Sequence, residues 1–131
     1  MKKILVVIAI LIMGLVGIKG YFLFHSGFDI KIKNQTNRNV TGIYLTYDDL
    51  KSDIKIPKIA SHNDYKLNVN PTDVGESSIE LQYKDYKGKL HKETVIGYFE
   101  DGYSGDVLIA IKSVDDDGKL KFKIKEDISL Y

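Results

Sequence analysis

From residue 28 onward, apolar and polar side chains alternate along the chain. Phe28, Ile30 and Ile32 alternate with Asp29, Lys31 and Lys33, which is the two-residue period of a half-buried strand. The polar cluster "NQTNRN" (34–39) reads as a turn, and "VTGIYLTY" (40–47) as a second strand with Ile43, Leu45 and Tyr47 on one face. "DIKIPKI" (53–59) alternates too, but Pro57 confines it to a sheet edge or a strand end. "YKLNVN" (65–70) follows. Then "SIELQY" (78–83) and "KLHKETVIGYFE" (89–100) flank "KDYKG", a hairpin signal. "DVLIAIKSV" (106–114) is apolar on both faces over its first half and reads as a central strand. "DDDG" (115–118) turns the chain into the strictly alternating "KLKFKIK" (119–125). No window past residue 25 keeps a 3.6-residue period, and no internal repeat is evident. The pattern predicts an all-β domain over 26–131: an antiparallel sandwich of seven or eight strands, because one sheet alone would leave its apolar face in water.

The first 25 residues follow a different rule. Ile4 to Ile18 are uninterrupted apolar residues or Gly, preceded by Lys2 and Lys3. Past Lys19 the run continues to Phe24. These 21 residues would make a helix about 31 Å long, against a hydrocarbon core of about 30 Å. Lys19 would reach the headgroups from the outer end, and Tyr21, Phe22 and Phe24 suit the interface. A cleaved export signal would need small residues three and one before the cut. Cutting after Gly20 puts Ile18 at the third place, and cutting after Gly17 puts Leu15 there. The expectation is an uncleaved transmembrane anchor over 1–25, engaging the bilayer through residues 4–24. The N-terminus would be cytoplasmic and the domain outside, because long domains translocate largely regardless of charge. The alternative is a domain secreted after cleavage.

Composition narrows the chemistry. The 131 residues include no cysteine, which removes disulfides, thiol catalysis and Cys-ligated zinc. Three of the 19 basic residues (Lys2, Lys3, Lys19) lie in the N-terminal segment, so the remainder carries 16 against 18 acidic groups, a balance of −2. That balance argues against nucleic acid as a partner. His25, His62 and His91 lack the spacing of a zinc site. Ser61, His62 and Asp64 supply the residue types of a hydrolytic triad, but sequence neighbours rarely form one, and no nucleophile elbow accompanies them. The expectation is a non-enzymatic chain without cofactor or metal.

"IKIKNQTNRNVTGIYLTYD" (30–48), with its strand ending in Asn-x-Thr, and "IPKIASHNDYKLNV" (56–69) resemble the immunoglobulin-like, FxLYD-type modules of exported bacterial proteins. The resemblance covers about the first half of the domain. It implies an immunoglobulin-like exported sandwich and carries over no catalytic residue and no ligand. "NQT" and "NVT" are also glycosylation sequons.

Two stretches hold candidate sites. "YFEDGYSGD" (98–106) offers Tyr98, Glu100, Asp101, Tyr103 and Asp106 as ligand-binding residues for a wall glycan or a cation; a solvated hairpin loop is the simpler reading. Lys119, Lys121, Lys123 and Lys125 share one strand face, which either repels aggregation at an edge or touches an anionic lipid or wall polymer. "SVDDDG" lacks the alternating acidic ligands of a calcium loop and reads as a hairpin turn. The function these features suggest is a membrane-anchored interaction module outside the cell, with a protein or cell-wall polymer as partner and an envelope, immunity or exclusion role. The alternative is a secreted module that binds wall glycan or a cation.

Overall fold

The computed structural model describes residues 27–48, 50 and 52–130. The expected anchor and its boundary with the domain (1–25) lie outside the described residues. Among those that are described there is no helix, and so none that could cross a membrane.

Among the described residues, eight strands form two four-stranded sheets packed as a sandwich: β1 (Phe28–Asn34), β2 (Tyr44–Thr46), β3 (Ile54–Lys55), β4 (Asp64–Val69), β5 (Ser77–Lys84), β6 (Leu90–Phe99), β7 (Ser104–Val114) and β8 (Leu120–Ser129). The first sheet has the order β4-β1-β7-β8 and the second β3-β2-β5-β6. The alternating residues of β1, β5 and β7 meet between the sheets. Ile32, Leu45, Ile79, Leu81, Ile109 and Ile111 are fully buried there.

One pairing corrects the expectation of a wholly antiparallel sandwich. β1 and β7 are parallel, from Phe28 opposite Gly105 to Asn34 opposite Ile111, so the first sheet is mixed. Parallel neighbours need a long crossover, and the chain between β1 and β7 makes one through the second sheet. Alternation tells which side chains face inward, not which strand lies alongside.

Two predicted strands are shorter than expected. Gly42 takes a left-handed conformation (φ 77°) that interrupts 40–47, leaving β2 and a single bridge between Val40 and Ile59. β3 is an edge strand that stops before Pro57, as the proline requires. In β6, Val95 and Ile96 are both buried although adjacent. The ladder goes from Glu80 opposite Thr94 to Ile79 opposite Ile96, so β6 carries an extra residue at Val95 and both side chains turn inward.

The strand directions give the sandwich two ends. Gly27, the start of β7 and the 100–103 turn share one end, where the Gly105 N–H donates to the Gly27 carbonyl at 3.1 Å. Phe28 and Phe99 plug this end, ring edge to ring face at 5.1 Å. The turns at 34–39, 85–89 and 115–119 lie at the other. Near that end Asn34, 1 % exposed, is a buried polar hub. Its amide donates to the carbonyls of Arg38 (2.7 Å) and Ile59 (3.0 Å), and its Oδ1 accepts from the Thr36 hydroxyl (2.7 Å) and N–H (3.1 Å). The amide of this sequon is thus enclosed by the fold and already committed.

Candidate functional site

The 98–106 stretch does not form one site. The Glu100 carbonyl accepts from the Tyr103 N–H, closing a turn, and the Tyr98 and Tyr103 rings meet edge to face at 6.3 Å. The Tyr98 hydroxyl donates to the Glu100 carboxylate, and this acceptor pushes its pKa well above the ordinary phenol value. Asp101 is turned to the neighbouring loop, where it accepts from the N–H groups of Val74 (3.2 Å) and Gly75 (3.4 Å). Asp106 lies elsewhere, on the outer face of the first sheet. Among the described residues, no group of three or more His, Asp or Glu side chains is arranged to hold a metal ion.

Nor do Ser61, His62 and Asp64 face one another. The Ser61 hydroxyl donates to the Thr36 carbonyl (2.6 Å), His62 Nε2 meets Asn37 Oδ1 (2.8 Å), and Asp64 pairs with Lys31 (3.4 Å).

Strand register sorts the outer face of the first sheet into stripes. Asn68, Asp29, Asp106 and Asp127 form one row across β4, β1, β7 and β8. Lys66, Lys31, Leu108 and Lys125 form the next, and Asp64, Lys33, Ala110 and Lys123 the third. Like charges directly opposite each other cost stability, and neighbouring rows of opposite sign offset part of that cost. Lys121, Lys123 and Lys125 are exposed as expected, on an edge strand where lysine discourages pairing with another chain.

The end opposite Gly27 is built by a repeat that the alternation hid. Asp85-Tyr86-Lys87-Gly88-Lys89-Leu90 and Asp115-Asp116-Asp117-Gly118-Lys119-Leu120 share Asp-x-x-Gly-Lys-Leu and close the β5–β6 and β7–β8 hairpins in the same way. In each, the leading Asp side chain accepts two backbone N–H groups: Lys87 (2.9 Å) and Lys89 (3.0 Å) at Asp85, and Asp117 (2.9 Å) and Lys119 (2.8 Å) at Asp115. The glycine is left-handed in both, at φ 81° and 80°. "SVDDDG" is thus the hairpin turn expected of it.

These twin turns come from different sheets and lock together. The Tyr86 N–H donates to the Asp117 carbonyl (2.8 Å), and Lys87 pairs with Asp117 (3.3 Å). Below them, the Tyr83 hydroxyl accepts from the Leu120 N–H (2.9 Å) and donates to the Leu120 carbonyl (3.3 Å), spanning the two sheets. Burial raises the Tyr83 pKa. His91 stacks on Tyr83 at 5.0 Å and bonds Asp85 through Nε2 at 2.9 Å.

The His91 bond lowers the Asp85 pKa, helped by the two backbone donors and opposed by burial. A carboxyl with a lowered folded pKa adds stability above the ordinary Asp value, about 3.9, and loses it as pH falls through the folded value. Asp85→Asn keeps an acceptor for Lys87 and Lys89 but removes this titration. Urea midpoints should therefore show wild type ahead of Asp85→Asn at pH 6, with the gap closing under acid. A gap independent of pH would break the assignment.

Beside this clasp a cleft of about 640 Å³ opens on the second sheet, lined by Tyr44, Gln82, Tyr86, Leu90, Asp53 and Lys84 among others. Tyr44 (37 % exposed), Tyr86 (70 %) and Leu90 (46 %) are three of the five large apolar side chains left exposed among the described residues. Tyr83 and Tyr86 lie at this end of the sandwich, Tyr98 and Tyr103 at the opposite one. The repeated turn motif was the sequence signal for the clasp. Nothing in the alternation placed Tyr44 beside Tyr86.

No known protein family matches the chain, and no curated protein is similar to it in sequence. Among solved structures, it is similar to an NMR structure of a protein from Eubacterium rectale, with 18 % identity, a TM-score of 0.44, and coverage of 74 % of this chain and 86 % of that one.

Proposed function

We propose that the chain is a membrane-tethered, non-enzymatic interaction module, an immunoglobulin-like sandwich held outside the cell. One observation carries this reading. Gly27, which follows the apolar 4–24 segment, lies at one end of the sandwich, whereas Tyr44, Tyr86 and Leu90 gather around a cleft toward the other. A body tethered at one end and carrying its exposed aromatic side chains toward the other has the layout of a surface binder. Tyrosine is enriched at such contacts because a rigid ring buries much area at little entropic cost. The partner is a protein or a cell-wall polymer that meets the far end.

Intact mass of the membrane-fraction chain, with protease shaving of sealed cells, tests the tether. The expected result is an uncleaved N-terminus and loss of the 27–131 domain to external protease. A species beginning near Ile18 or Tyr21 would establish secretion instead, and a protected domain would reverse the orientation.

A further inference from the structure

We propose that the cleft formed by Tyr44, Tyr86 and Leu90 binds a neutral glycan, with Tyr86 as its stacking platform. This rests on reading that end as the binding end and assigns the ligand's chemical class. The argument begins at Gly118. A Cβ there would stand 2.6, 2.7 and 2.8 Å from three adjacent atoms of the Tyr86 ring, so the ring lies face-on against the β7–β8 turn where only glycine leaves room. The Tyr86–Asp117 backbone bond and the Lys87–Asp117 ion pair hold the turn beneath it. The ring nonetheless remains 70 % exposed. An aromatic ring fixed on one face and open on the other is preorganised for stacking, because little freedom remains to be lost when a flat ligand lands on it.

The rest of the cleft narrows the ligand. Its volume, about 640 Å³, falls in the range of small-molecule sites, about 300–1,000 Å³. Tyr44 and Leu90 supply further apolar surface; Gln82, Asp53 and Lys84 supply donors and acceptors at its margin. A pyranose ring matches this combination, with its C–H face on the tyrosine and its hydroxyls toward the polar margin. Asp53 and Lys84 bring charges of opposite sign, which favours an uncharged sugar over an acidic one.

The test is isothermal titration of the full chain, in discs of zwitterionic lipid, with the tetramers of N-acetylglucosamine and of β-linked glucose. At least one tetramer should bind. Tyr86→Ala should weaken it about five- to tenfold, the worth of one aromatic contact, and Tyr86→Trp should keep or strengthen it. Tyr98→Ala, an exposed tyrosine at the opposite end, should leave affinity unchanged. Silence from both sugars, an inert Tyr86→Ala or an equal loss in Tyr98→Ala would overturn the site. Crosslinking of a protein through Tyr86 without sugar binding would overturn the glycan assignment and leave the interaction reading standing. The mass and shaving experiment fails or succeeds independently of all of these.

Discussion

An Asn34→Asp chain is expected to lose a large part of its stability near neutral pH. The substitution keeps the size of the side chain and changes one NH₂ group to oxygen. That group donates to the carbonyls of Arg38 and Ile59, and the site is 1 % exposed. With a carboxylate there, oxygen would face oxygen, and a charge would be buried with only the two Thr36 donors to meet it. The Ile59 carbonyl keeps the Val40 N–H and the Arg38 carbonyl the Thr36 hydroxyl, so the main penalty is the enclosed charge facing them, and about 3–6 kcal/mol in all is expected. A small domain holds only about 5–15 kcal/mol. The introduced carboxyl would have a raised folded pKa, so its penalty should shrink as pH falls and the neutral acid regains one donor. Urea midpoints at pH 7 and pH 5 would show this. Wild-type stability at pH 7 would mean that the 34–39 turn does not depend on the hub.

Ile109→Ala should come next in size. Ile109 is fully buried on β7, with Ile32 of β1 and Ile124 of β8 in register beside it. Truncation removes transfer energy and leaves a cavity that close-packed neighbours refill only in part, together about 2–5 kcal/mol. Lys121→Ala, on the exposed side of β8, should change stability by about 0.5 kcal/mol or less. Chemical denaturation of the two variants gives the comparison, and equal losses would show that the inner faces had been misassigned.

Much of the fold was legible because burial imposes a two-residue period. Phe28, Ile30 and Ile32 could be placed inside from their spacing alone, and Pro57 marked its strand as an edge by removing a donor. The legible part stopped where a local geometry broke the period. The bulge at Val95 turns two neighbours inward, and Gly42 ends a strand that the pattern would continue. Both are choices of backbone that apolar spacing does not encode.

The candidate site was less legible. The stretch 98–106 looked like a cluster because its tyrosines and acids are close in sequence. In the fold, Asp101 braces the 70–76 loop and Asp106 joins Asp29 and Asp127 in another row. Asn34 and Thr36 of the Asn-x-Thr stretch have a structural task in the fold, tying the first turn to Ile59.

By itself the sequence determined that residues 28–125 make short strands, most with one wet and one dry side and one, at 106–114, apolar on both faces over its first half. It also determined the hairpins at "KDYKG" and "DDDG", because turn chemistry and two-residue periodicity act between near neighbours. Only the tertiary structure decided that β1 runs parallel to β7, that lysines and aspartates from four strands align in rows, and that Tyr86 lies against Gly118. Those arrangements join residues tens of positions apart. Their energies depend on which strands are brought side by side, and that is settled only when both sheets close over a shared core.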